Sequence, residues 1–121
     1  CSERVVLITD ATAGASAAPG RYRLGNLELL LRSDPVIYDQ QTSRPIGSAL
    51  TLDQCVRNVT RWYGISLEEA VSWAGKNPQK IISSAKAKTV LAENEQNVWW
   101  KDEKDGWEVK AAQIGKFLYT A

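Results

Sequence analysis

Four consecutive apolar residues, Val5-Val6-Leu7-Ile8, lie between Arg4 and Thr9, and three of them are β-branched. A continuous apolar run of this length predicts a strand over Arg4–Thr9 buried on both faces, as in a parallel sheet covered by helices. It ends in Thr9-Asp10-Ala11, and small residues and glycines follow through Gly20, a stretch too poor in bulky side chains to pack. That stretch predicts a loop. A polar side chain where a buried parallel strand opens into a long loop is a favoured place for chemistry in α/β enzymes, which marks Asp10 as a candidate.

From Arg21 to Tyr38 the pattern reads as short strands, broken at Gly25-Asn26 and at Ser33-Asp34-Pro35, and Arg44-Pro45-Ile46-Gly47-Ser48 reads as a second loop. Helical spacing then takes over. Thr51 with Gln54 forms a capping box; Leu52, Cys55, Val56, Val59, Trp62 and Tyr63 fall on one face; Gly64 stops the helix. Ser66 with Glu69 repeats the box, with Leu67, Ala70, Val71 and Ala74 as the stripe, and Asn77-Pro78 starts a third turn through Ile82. Beyond Ser83 the pattern becomes β. Val90-Leu91, Val98-Trp99-Trp100, Trp107 to Lys110 and Gln113 to Tyr119 are strand candidates, with turns at Asp105-Gly106 and Gly115-Lys116.

Composition narrows the chemistry. Lys and Arg number 15 against 14 Asp and Glu, a balance that excludes a polyelectrolyte partner and makes nucleic acid an unsuitable ligand. No apolar run approaches the roughly 18 residues needed to cross a bilayer, so a soluble protein without membrane contact is expected. Cys1 and Cys55 are read as free thiols of a reducing, cytoplasmic compartment, and Asn58-Val59-Thr60 as a chance match to a glycosylation acceptor inside a helix. The 121 residues contain no histidine, which excludes an imidazole base, an imidazole metal ligand and a Ser-His-Asp triad within the chain. They contain no methionine either, and a strand candidate stands almost at residue 1, so a longer polypeptide is expected to precede it.

The motifs, taken in order, resemble the end of the N-acetylglucosamine-6-phosphate deacetylases of the amidohydrolase superfamily. The family's eighth barrel strand ends in Thr-Asp-Ala, as does Leu7-Ile8-Thr9-Asp10-Ala11. A Gly-Arg-Tyr-Arg-Leu-Gly segment follows at Gly20 to Gly25, then Gly47-Ser48-Ala49-Leu50-Thr51 continued by Val56-Arg57-Asn58. Ser66 to Ala70 and Asn77-Pro78 complete the series. Over residues 88 to 98 the chain lacks the glycines and the aspartate of the family's run into its small β-domain, whereas Trp107 to Lys110 and Ile114 to Leu118 are similar to its last hairpin.

The resemblance implies an α/β fold: the terminal portion of a (β/α)8 barrel, its last strand and closing helices, over residues 1–85, and strands of a small attached β-domain over 86–121. It implies hydrolysis of N-acetylglucosamine 6-phosphate to glucosamine 6-phosphate and acetate. A divalent metal ion, zinc foremost, polarises the water and the acetyl carbonyl in such enzymes, on ligands that have no counterpart in this chain. Asp10 then corresponds to the acid/base that takes a proton from water and gives it to the amine. Ile46, Gly47 and Ser48 match a loop that contacts the amino-sugar phosphate substrate, while Arg21 and Arg23 are read as solvated strand charges. The remainder of the parent enzyme is the implied structural partner, a homodimer the implied assembly, and the isolated chain is expected to be inactive. The alternative reading is a non-catalytic carbohydrate-binding module, suggested by five tryptophans, or a structural remnant of the enzyme.

Overall fold

The structure, a computed structural model, describes residues 2–84 and 96–120. A 3-10 turn at Ser2–Arg4 is followed by four strands, β1 (Gly20–Leu24), β2 (Leu27–Leu31), β3 (Val36–Asp39) and β4 (Pro45–Ser48). Three helices come next, α1 (Leu52–Tyr63), α2 (Leu67–Ala74) and α3 (Lys76–Ser84), and then β5 (Gln96–Glu103), β6 (Gly106–Ile114) and β7 (Phe117–Thr120). The architecture is α/β with two antiparallel sheets. Two compact units form, one of residues 8–55 and one of residues 1–7 with 56–121, the division falling inside α1. The expected boundary at residues 85 and 86 and the strand candidate Val90-Leu91 lie outside the described residues.

In the unit of residues 8–55 the strands run as an antiparallel meander in the order β1-β2-β3-β4. Leu29 and Leu31 alternate along β2 onto one face, where they meet Ile37 of β3, and Ala17, Tyr22 and Ala49 close over them. Period-two spacing puts both leucines on that face, and each buried side chain contributes about 1.5–3 kcal/mol. The loop expected at Arg44–Ser48 is in fact largely strand. Val36 registers with Ser48 and Ile37 with Gly47, with a bulge before the Tyr38–Pro45 pair. Pro45 misleads a local reading because proline is tolerated on an edge strand, and β4 is an edge. Asp39 shapes the turn between β3 and β4: its Oδ1 accepts from the amides of Gln41 (2.8 Å) and Thr42 (2.7 Å).

The other unit is built on helices. Glu69 N donates to Ser66 Oγ at 3.2 Å as the capping box predicts, and Gly64 N closes α1 on Thr60 O at 3.0 Å. Val56, Val59 and Ala70 form the core, with Leu7, Ile65, Leu67, Trp73, Ala74 and Trp100 packed against them. The predicted α1 stripe is too long: Trp62 and Tyr63 are 66% and 72% exposed. Neither ring is among the residues that pack on Val56 and Val59, so the apolar face continues past its last neighbour.

The predicted strand at Arg4–Thr9 does not form. A strand needs a ladder partner, and among the described residues this segment has only isolated hydrogen bonds. Leu7 N donates to Trp73 O at 2.9 Å, and Asn77, buried at 4% exposure, donates through Nδ2 to Ser2 O at 3.0 Å and Val5 O at 2.7 Å. Nor is the run buried on both faces, since Val5 and Val6 are each 36% exposed and Ile8 72%.

The second sheet has the order β5-β6-β7. The turns fall at Lys104-Asp105 and Gly115-Lys116, and a register shift separates Trp99 from Trp100. Trp100 packs into the helical core while Trp99 remains exposed, so the two rings part as strand alternation predicts. Arg57 of α1 is tied to this hairpin, its Nε donating to Trp107 O at 2.9 Å. Among the described residues no helix is long and apolar enough to cross a membrane.

Candidate functional site

Asp10 stands at the end of the N-terminal segment with its side chain exposed and its backbone at φ +51. Left-handed geometry is uncommon for a residue with a Cβ, although aspartate tolerates it better than most. The chain on either side is held by Ser48 of β4. Ser48 N donates to Asp10 O at 2.8 Å, Thr12 N donates to Ser48 O at 3.1 Å, and Ala11 bridges Ser48 in parallel. The Ser48 hydroxyl donates to Thr9 O in a short hydrogen bond and accepts from Leu50 N at 3.2 Å.

Gly47 lies beside Asp10 for a steric reason. Its φ is +150, and a Cβ placed there would overlap Thr12 Cγ2 and stand 3.0 Å from Asp10 O. Only a residue without a Cβ fits such a conformation and such an approach. The structure therefore brings Asp10, Gly47 and Ser48 together, although a long excursion separates them in sequence. Ile46 adjoins them as a 37%-exposed side chain on the edge strand. Arg23 is committed to its own hairpin, Nε donating to Gly25 O at 3.0 Å, and Arg21 is exposed on β1.

Thr12 is the member of this cluster that the sequence did not single out. Its methyl lies over Gly47 and its Oγ1 is buried without a hydrogen-bond partner. The one signal for it was its place two residues beyond Asp10. Thr9 contributes through its carbonyl, and its Oγ1 accepts from Ala11 N at 3.1 Å.

A carboxylate exposed at a fixed backbone position can accept and return a proton, the work of a general acid/base. It does not make a metal centre. Among the described residues no group of three or more His, Cys, Asp or Glu side chains converges, so the residues present do not fit a metal ion by themselves. Cys55, the free cysteine among the described residues, is buried; burial first and the charge of Asp53 second push its thiol pKa up. Cys1 lies outside the described residues.

No family model matches the sequence. Among curated proteins it is 32% identical over 82 residues to the N-acetylglucosamine-6-phosphate deacetylase of Vibrio furnissii, an alignment covering 68% of this chain and 20% of that protein. It is 34% identical over 80 residues to a putative N-acetylgalactosamine-6-phosphate deacetylase of Escherichia coli K12, covering 66% of this chain and 47% of that one. The human N-acetylglucosamine-6-phosphate deacetylase matches at 31% over 87 residues, 72% of this chain and 21% of the human protein. The fold agrees with that of the N-acetylglucosamine-6-phosphate deacetylase of Pasteurella multocida, with a TM-score of 0.77 at 21% identity, over 98% of this chain and 31% of the other. For the Thermotoga maritima enzyme the TM-score is 0.70 at 20% identity, over 99% and 32%. The chain thus spans from a fifth to about half of the length of these curated relatives. In sequence and in fold it is related to the N-acetylglucosamine-6-phosphate deacetylases, over part of their length.

Proposed function

We propose that these residues are the C-terminal part of an enzyme that hydrolyses N-acetylglucosamine 6-phosphate to glucosamine 6-phosphate and acetate, with Asp10 as its acid/base. The observation that carries this reading is the conjunction at Asp10: an exposed carboxylate in a Thr-Asp-Ala segment, with its flanking backbone bonded to Ser48, in a chain whose relatives are deacetylases. In the reaction, the oxygen of a water molecule bonds to the acetyl carbon while Asp10 takes the water's proton. Asp10 then gives that proton to the amide nitrogen as the carbon–nitrogen bond breaks, which releases the amine and acetic acid, whose remaining proton passes to the amine to leave acetate and the ammonium form. Holding the carboxylate on a fixed backbone reduces the reorganisation this double transfer requires.

The remaining parts of the reading follow from the family. Residues 1–85 are the end of a (β/α)8 barrel and 86–121 belong to a small β-domain. The divalent metal ion such a reaction uses, zinc foremost, takes its ligands from outside these residues. Ile46 and Gly47 line the substrate side of the β4 edge, the substrate is an amino-sugar phosphate, the protein is cytoplasmic, and the assembly is a homodimer. A non-catalytic sugar-binding module is not favoured, because the relatives carry enzyme names.

The test is acetate release by the full polypeptide that carries these residues, assayed with N-acetylglucosamine 6-phosphate, the galactosamine epimer and unphosphorylated N-acetylglucosamine. The reading expects turnover of a phosphorylated sugar and little of the unphosphorylated one. No acetate release from either phosphorylated sugar by the metal-loaded protein would refute it.

A further inference from the structure

We propose that Ser48 is a positioning residue for Asp10, its hydroxyl serving the backbone that carries the carboxylate and not the substrate. The inference rests on the deacetylase reading and assigns this serine a role other than the substrate contact implied by the family motif. A serine hydroxyl has one proton to donate, and that proton is given to Thr9 O. Leu50 N occupies one of its lone pairs at 3.2 Å. To donate to a sugar or a phosphate, the hydroxyl would have to release Thr9 O, the carbonyl next before Asp10, leaving that stretch to the two backbone bonds of Ser48 alone.

The bonds of Ser48 also bracket Asp10 on every side. Thr9 O, Asp10 O and Thr12 N, lying before, at and after the acid/base, all bond to this one residue. Between those anchors Asp10 adopts φ +51, a left-handed conformation that aspartate tolerates better than most residues and that the three bonds hold in place. Thr12 completes the clasp: its methyl occupies the space over Gly47 that a side chain there would need, and the absence of a Cβ at Gly47 lets β4 approach the Asp10 backbone closely. The clasp therefore fixes the point from which the Asp10 carboxylate projects. A misplacement of about 1 Å in such a group lowers a rate by up to about 100-fold.

The experiment uses the full polypeptide that carries these residues, loaded with metal, with kcat and KM measured for Ser48→Ala, Ser48→Thr and Asp10→Asn. Loss of the anchoring hydroxyl is expected to lower kcat about tenfold or more with KM unchanged, and Ser48→Thr, which keeps the donor, is expected to recover most of the loss. A rise in KM at constant kcat would assign Ser48 to substrate binding and overturn the proposal, as would wild-type kinetics in Ser48→Ala or a Ser48→Thr no better than alanine. A second measurement needs no variant: amide hydrogen exchange of the wild-type protein. The Thr12 and Ser48 amides should be protected before substrate is added and no more so afterwards; protection that appears only with substrate would overturn the proposal. Asp10→Asn separates the two failures. If it retains kcat, the deacetylase role of Asp10 falls and the positioning role with it; if it loses kcat while Ser48→Ala does not, the positioning role alone falls.

Discussion

Replacing Gly47 by alanine tests whether the backbone around Asp10 is held as tightly as its geometry indicates. Two costs add. At φ +150 an alanine occupies a region that only glycine uses freely, a penalty of about 1–3 kcal/mol. The new methyl also overlaps Thr12 Cγ2 and stands 3.0 Å from Asp10 O, so the clasp must open to admit it, at about 1–3 kcal/mol for overpacking. Together they come to about 4 kcal/mol, with most of the damage local to residues 9–12 and 47–50. The control is Gly25→Ala. Gly25 has φ +59, but a methyl group there would meet no atom within 4 Å, so only the conformational cost of about 1–2 kcal/mol applies. Amide exchange of Thr12 and Ser48, read in the full polypeptide, gives the free energy of opening directly. A difference of about 2 kcal/mol between the variants corresponds to roughly 30-fold faster exchange in Gly47→Ala. Adding Thr12→Ala removes Cγ2 and should return the part of the steric cost that Cγ2 causes, though not the 3.0 Å approach to Asp10 O, a coupling that a double-mutant cycle isolates. Equal exchange in the two glycine variants, or no recovery in the double variant, would refute the steric reasoning.

Two further expectations concern the two units separately. Asn77→Ala removes both hydrogen bonds from Nδ2 to Ser2 O and Val5 O, so residues 2–7 should exchange faster by about 1–3 kcal/mol while the 27–39 strands stay unchanged; exchange in 2–7 at the wild-type rate would dismiss the anchor. The Asp39 carboxyl lies below its ordinary value of 3.8, held there first by the Thr42 backbone amide and further by the Thr42 side chain and the Gln41 amide. A carboxyl whose folded pKa is depressed contributes stability that is present above its unfolded pKa and lost as pH falls through the folded one. Protection of the Gln41 and Thr42 amides, corrected for intrinsic exchange, should therefore weaken from about pH 4 downward. Asp39→Asn should flatten that dependence; an unchanged acid limb in the asparagine variant would exclude the mechanism.

What the sequence discloses and what it conceals follow from the range of the interactions involved. Both capping boxes are local: Thr51 N bonds Gln54 Oε1 at 2.9 Å and Glu69 N bonds Ser66 Oγ, so spacing alone locates the helix starts. The β1–β2 hairpin is local too, announced by Gly25-Asn26. Segments that depend on a distant partner mislead a local reading. Val5 to Ile8 has the composition of a buried strand, yet no neighbouring strand in the described residues pairs with it, and Asn77 and Trp73 take its backbone groups instead. Pro45 and Gly47 look like loop residues because their pairing with β3 is invisible in a local window. Trp62 keeps the helical period of the α1 stripe, but periodicity does not disclose where the packing partners stop. The candidate site was half legible. Motif similarity marked Asp10, Gly47 and Ser48, whereas the hydrogen bonds that join them, and Thr12 between them, depend on the backbone path through the excursion.

The central claim is that Asp10 moves the proton in amide hydrolysis, and the kcat of Asp10→Asn in the metal-loaded full polypeptide tests it most directly. An asparagine keeps the size and the backbone geometry but cannot accept the water's proton, so kcat should fall by about 100- to 10,000-fold, with the fold, the bound metal and KM retained. A kcat within a few-fold of the unaltered protein, with the same metal content, would contradict the account.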